Sequence, residues 1–164
     1  MRKLKHSMLL FLILMIFWIL FTSLDIQEII AGLFASLVII LITTKLDPLL
    51  VDFKLTPKAL IFSIIYPVVF SKELIKSNID VARRVLDPKL PIKPAIVKVH
   101  TNLKSKIAKI ILANSITLTP GTLTTEIKDD YLYIHWIEIT EDDIEGATHA
   151  IVEKFEKYLE VIFG

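Results

Sequence analysis

The 164-residue sequence has no cysteine and only four glycines. Without cysteine there is no disulfide framework, no thiolate-bound zinc, no iron–sulfur cluster and no cysteine nucleophile. With glycine only at positions 32, 121, 146 and 164, no glycine-rich phosphate loop exists; G-x-S-x-G and H-E-x-x-H are also absent. Charge is scarce too: 23 % of residues are charged against 54 % hydrophobic, which excludes a disordered chain. Residues 7–24 hold no Asp, Glu, Lys or Arg, a run that an ordinary soluble domain does not carry. The net charge of +1 conceals an asymmetry. Residues 1–94 carry 12 Lys/Arg against 7 Asp/Glu, and residues 95–164 carry 7 against 11. A basic membrane part followed by an acidic tail domain is expected.

What is present begins with two apolar runs. Residues 7–24 (SMLLFLILMIFWILFTSL) would form roughly 27 Å of helix, enough for a thin bilayer core. Arg2, Lys3 and Lys5 resemble the start of a signal peptide, but the run is long for one and no small-residue cleavage site follows. A second run, residues 29–44, extends to a span of about 27–44, with only residues 25–28 between the two. Arg2, Lys3 and Lys5 precede the first span and Lys45, Lys54 and Lys58 follow the second, whereas the connection holds Asp25 and Glu28. The cation bias predicts a tight helical hairpin with both chain ends cytoplasmic. Ala31, Gly32, Ala35 and Ser36 form overlapping small-xxx-small pairs suited to helix packing in lipid.

Residues 59–71 are apolar but too short to span alone, and Pro67 lies within them. Beyond them Leu74, Ile75, Asn78, Ile79, Ala82, Val85 and Leu86 recur at spacings of three and four, with charges between. Residues 56–86 are expected as one kinked, amphipathic, membrane-associated helix, a third tilted span being the alternative. Three prolines within residues 87–94 make a stiff linker.

Residues 95–164 read as a small cytoplasmic α+β domain of βαββα order. Residues 95–100 alternate as a strand, residues 103–114 repeat as a helix, and residues 123–127 and 131–139 alternate again around Asp129 and Asp130. Thr140, Glu141, Asp142 and Asp143 fit a helix start. An apolar stripe follows through Ile144, Ala147, Ile151, Val152, Phe155, Leu159 and Ile162. The fold class is thus a membrane protein: a transmembrane hairpin (1–55), the interfacial helix (56–86), the linker (87–94) and the tail domain (95–164).

Candidate chemistry is sparse. His100 and His135 lie on expected strands, and as neighbours they would suit a metal or acid–base pair. Glu138, Glu141, Asp142 and Asp143 could hold a cation, though a helix start explains three of them more simply. Sheet-surface histidines are the commoner case, so no catalytic, cofactor-binding or metal-binding residue is assigned. The acidic tail lacks the clustered cations that nucleic acid requires, and no small-molecule substrate is indicated. Proteins that move ions themselves carry ionisable groups inside the hydrocarbon. The uncharged runs 7–24 and 29–44 lack them, Asp25 and Glu28 sitting at the outer edge, which points to an accessory subunit. A solitary membrane-tethered sensory or ligand-binding domain is the competing class.

The stretch Leu112-Ala113-Asn114-Ser115-Ile116-Thr117-Leu118-Thr119-Pro120-Gly121-Thr122 resembles the hallmark of the E subunit of Mrp-type multisubunit Na+/H+ antiporters. Residues 77–86, which include Asn78, resemble that family's helix before the linker; residues 91–94 and 133–135 match its proline-rich linker and a following strand. The resemblance implies a partner-dependent, non-catalytic subunit without cofactors, in the cell membrane of a prokaryote. It would sit among other membrane subunits and the lipid bilayer. Related subunits occur in membrane-bound hydrogenase and sulfane reductase complexes, and the equivalent role there is the alternative. Within the signature, Pro120 and Gly121 should make a turn. Asn114 and the threonines Thr117, Thr119 and Thr122 should satisfy backbone groups around it, Ser115 belongs to the same structural signature, and Ile116 and Leu118 should pack inward.

Overall fold

The structure, a computed structural model, describes residues 2–43, 52–141 and 143–164. It divides into two compact units, Met1–Asp52 and Phe53–Gly164.

The first unit contains α1 (Arg2–Phe21) and α2 (Ile26–Thr43). Thr22 Oγ1 returns to the Trp18 carbonyl at 2.8 Å, and the Asp25 carbonyl receives the Ile29 N–H at 3.0 Å. One helix therefore stops and the next starts within four residues. Large apolar side chains stand exposed along both helices, among them Phe17, Leu20, Phe34 and Leu41, a surface that suits lipid or protein and not water. Only α2 has the length and hydropathy of a full membrane crossing among the described residues. The apolar part of α1 is shorter, Ser7–Phe21, because Arg2, Lys3 and Lys5 occupy its first turn. Thr44 and Lys45, assigned above to the second span and to the cation bias, lie outside the described residues.

The second unit opens with α3 (Pro57–Leu86), which runs as one continuous helix through Pro67. Thr56 caps it by accepting the Ala59 N–H at 3.1 Å, and Pro57 sits in the first turn, where no N–H is needed. Then follow β1 (Ala95–His100), α4 (Lys106–Leu118), β2 (Thr122–Lys128), β3 (Tyr131–Trp136), α5 (Ile144–Ile151) and α6 (Glu153–Phe163). The three strands form an antiparallel sheet of order β1-β3-β2. Thr125 falls at a register shift in β2.

Period-two alternation gives the sheet two unlike faces. Val99, Leu132 and Ile134 point into the core with Leu103, Leu112, Ile116, Ile151, Val152, Phe155 and Leu159, all at most 2 % exposed. On the opposite face Ile96 and Leu123 are exposed. Beyond the helices that cover the sheet, Tyr66 and Phe70 of α3 pack on Phe155, with ring centroids 6.4 Å away in each case. So one face of α3 is covered by the tail domain, whereas the sequence pattern places the domain boundary after it. The apolar burial gained there supplements a core that seventy residues alone would leave small.

Three local expectations need correction. The helix after β3 starts later than Thr140. Asp143 is its cap, accepting the Gly146 N–H at 3.1 Å, because a carboxylate nearer the apolar stripe serves as well as a threonine. Asp142 lies outside the described residues. The stripe that follows is broken at Val152 into α5 and α6, and Ile144 at its head is exposed. Finally, α4 runs on to Leu118, four residues past the periodic stretch. Its last turn is threonine- and serine-rich, and hydroxyl bonds to its carbonyls hold it helical.

Candidate functional site

The signature segment is a helix end followed by a turn. An α-helix leaves its last carbonyls without intrahelical partners, and here hydroxyls supply them. Thr119 Oγ1 donates to the Ser115 carbonyl at 2.7 Å and Thr122 Oγ1 to that of Ile116 at 2.6 Å, while Thr124 Oγ1 reaches the Ala113 carbonyl one turn further back at 3.2 Å. Thr117 Oγ1 accepts the Thr124 N–H at 3.1 Å, which stitches α4 to β2. The chain then reverses at Gly121, whose φ of +95° is the conformation that favours glycine. Its carbonyl accepts the Ile137 N–H at 3.0 Å.

Ser115 is 5 % exposed and faces α3, where Tyr66 Oη lies 2.6 Å from its Oγ. Burial pushes the Tyr66 phenol above its ordinary value, and the bond to Ser115 offsets part of that. Asn114 is exposed on the outer side of α4 and makes no side-chain hydrogen bond among the described residues. Asn78 donates to the Leu74 carbonyl of its own helix at 2.8 Å. Ile116 packs inward as expected, but Leu118 is 62 % exposed, because a helix turns it a further 200° and not back to the same face.

The turn lines a groove of about 760 Å³ bounded by α3, residues 119–122, the end of β3 and the α5–α6 junction. Two ion-pair arrangements cross it. Arg84 Nε meets Asp80 at 2.9 Å, its guanidinium also meets Glu138, and it donates to the Pro91 carbonyl at 3.2 Å. Lys154 Nζ lies 3.9 Å from Glu73. Burial lowers the Lys154 pKa; Glu73 opposes that shift and Lys76 adds to it. Sequence reasoning missed this groove. Its residues come from four distant segments, and only the helical spacing of the charges on α3 hinted at it.

The two histidines are not brought together. β1 pairs Ile96 with His135 and His100 with Tyr131, so they lie four positions apart along the sheet, roughly 13 Å. Two of the acidic candidates are engaged: Glu138 meets Arg84, and Asp143 caps α5. Among the described residues no group of three or more metal-ligating side chains occurs. In the first unit Gly32 and Ser36 are the buried members of the small-residue stripe. A Cβ on Gly32 would stand 2.7 Å from Trp18 Cδ1, so that stripe packs on the chain's own α1.

Comparison with known proteins adds the following. Residues 11–162 match a family model described as MNHE, Na+/H+ ion antiporter subunit. The chain is similar to the E subunit of the Na(+)/H(+) antiporter of Alkalihalophilus pseudofirmus, 46 % identical over 90 residues, covering 54 % of this chain and 56 % of that one. Thus it spans little more than half the length of that relative. With the E1 subunit of the Na(+)/H(+) antiporter of Staphylococcus saprophyticus the identity is 35 % over 149 residues, covering 85 % and 88 % of the two chains. Among solved structures, a chain of the membrane-bound sulfane sulfur reductase, an archaeal respiratory membrane complex, superposes with a TM-score of 0.83. Its identity is 42 %, over 96 % of this chain and 99 % of that one.

Proposed function

The chain belongs to the Na+/H+ ion antiporter subunit family, and from that premise we propose that it is an accessory, structural membrane subunit of a multisubunit Na+/H+ antiport module, required for assembly or activity and conducting no ions itself. The match over residues 11–162 carries this reading, since it takes in apolar helices, linker and tail together. The absence of Asp, Glu, Lys and Arg from residues 29–44 and from residues 7–24 supports it: a Na+ or H+ crossing there would meet no ionisable partner.

In this reading α1 and α2 both cross the bilayer as a hairpin (residues 1–55), leaving the two chain ends in the cytoplasm. The first half of residues 56–86 lies at the membrane interface and the second half emerges into the cytoplasm, residues 87–94 connect, and residues 95–164 stand in the cytoplasm. Gly32 and Ser36 hold the hairpin closed. The hydroxyls of residues 115–122 brace the domain, as a scaffold and not as an ion site. Its partners are the larger membrane subunits and the lipid.

A second reading rests on the sulfane reductase chain, which is similar over nearly the whole length at 42 % identity. Here the chain is the equivalent subunit of a complex that couples electron transfer to Na+/H+ translocation, and it carries out no redox step itself. Affinity purification in mild detergent separates the readings. Antiporter-type subunits alone favour the first; accompanying reductase or hydrogenase subunits favour the second. A lone particle of the mass of this chain would overturn both. Deleting the chain should abolish antiport or assembly, and the chain alone in liposomes should move neither Na+ nor H+.

A further inference from the structure

The groove beside the signature turn has a chemistry that the scaffold role does not use. Five cations and three carboxylates line it. Lys154 is matched by Glu73, and Arg84 by Asp80 and Glu138. That leaves Lys72, Lys76 and Arg83 with no ion partner among the described residues. All three project from one side of α3, at spacings of four and seven. Beside them Ile75 and Ile79 are 62 % and 48 % exposed at the rim. Past the two ion-pair arrangements, half-buried Val81 and Ile137 both come within 3.7 Å of where a Cβ on Gly121 would stand, and with Pro120, Trp136 and Ile151 they give the groove an apolar floor.

Resting on the subunit reading above, we propose that this groove is the docking site for an acidic, partly apolar polypeptide segment of a partner subunit. Complementary charge on the rim steers and registers such a segment, and apolar side chains fill the floor. Distance selects among anionic ligands. From Lys72 to Arg83 is eleven residues of helix, roughly 16 Å, far longer than one phosphate and matched by about three turns of helix or five residues of strand. Shape selects between macromolecules. A bilayer surface would meet the three cations with its headgroups, but a flat surface leaves a recessed apolar floor empty, whereas inserted side chains reach it.

The test uses the full chain, tagged and expressed with the other subunits of its complex. In one arm Lys72→Gln, Lys76→Gln and Arg83→Gln are combined; this removes three exposed cations without setting new carboxylates beside Glu73 and Asp80 on the same helix, so the thermal midpoint should stay close to the wild-type value. Recovery of at least one partner subunit should fall by roughly tenfold or more. In the second arm a photo-crosslinking residue replaces Ile79 alone and its adducts are mapped by mass spectrometry. An adduct to a segment of another subunit with net negative charge supports the proposal. Adducts to lipid, to a second copy of this chain or to a neutral or basic segment overturn it, as does the lack of any adduct. Full partner recovery by the triple variant also overturns it. If the wild-type chain itself recovers no partner, the subunit reading has failed, an outcome distinct from failure of the groove.

Discussion

Tyr66 of α3 and Ser115 of α4 share a hydrogen bond of 2.6 Å across 49 residues of sequence. Ser115 gives its own proton to the Ile111 carbonyl at 2.8 Å, so the phenol is the donor. This bond ties the helix that precedes the linker to the signature helix that follows it. Tyr66→Phe should lower stability by about 1 kcal/mol, and Ser115→Ala, which strands a half-buried phenol, by about 1–3 kcal/mol. Thermal unfolding in detergent checks both. The double variant should lose less than the sum, since one bond is removed in each case.

Gly32 is held against the Trp18 ring. Gly32→Ala must push that ring aside, at a cost of about 1–3 kcal/mol. In a Trp18→Phe background the same change should cost clearly less. Equal costs in the two backgrounds, read from thermal midpoints, would show that the contact does not hold the two helices.

At Gly121 the surroundings leave ordinary room: a Cβ would sit 3.6 Å from Val81 Cγ2. The cost of Gly121→Ala is therefore backbone strain at a φ of +95°, about 1–3 kcal/mol. Gly121→Asn should lose less, because asparagine tolerates positive φ better. Chemical denaturation of the three proteins should rank them Gly, Asn, Ala.

Glu156 is 4 % exposed, and its Oε1 collects the Thr101 hydroxyl at 2.6 Å and the N–H groups of Asn102 and Leu103 at 2.5 and 3.3 Å. Glu156→Ala would leave the Thr101 hydroxyl and the Asn102 N–H without this acceptor, while the Leu103 N–H keeps Thr101 Oγ1 at 3.3 Å, a loss of about 2 kcal/mol or more. Amide hydrogen exchange at Asn102 should accelerate. Unchanged exchange there would mean that the loop is held by other bonds.

Acid should weaken the hairpin turn at Asp130. Hydrogen bonds from Lys109 and then Lys104 hold this carboxyl below its ordinary value. A depressed folded value means that the contribution is complete above the ordinary carboxylate pKa and fades as pH falls from there through the depressed value. Thermal midpoints measured from pH 6 downward should decline less steeply for Asp130→Asn than for the wild type. Identical slopes would mean that the two lysines do not hold the turn.

Much of the molecule was legible in residue order because the signals are local. The apolar runs mark α1 and α2, alternation marks β1, β2 and β3, and Asp129-Asp130 and Pro120-Gly121 mark turns. The signature was legible as a motif, but its purpose was not. Only the fold shows that Thr119 and Thr122 cap α4, and that Leu118 faces out while Ser115 faces Tyr66. The two histidines were legible as strand residues, but neither the strand order nor the antiparallel register that keeps them apart was.

Composition, hydropathy and spacing alone thus determined that the chain holds apolar helices followed by a small α+β domain, since these depend on neighbours within a few residues. The tertiary structure decided which side of α3 is covered by Phe155 and which is left open, and it gathered Lys72, Arg84, Gly121, Glu138 and Lys154 around one groove. Those outcomes depend on packing between segments tens of residues apart, and helical or strand periodicity carries no information about which distant partner will meet a given face.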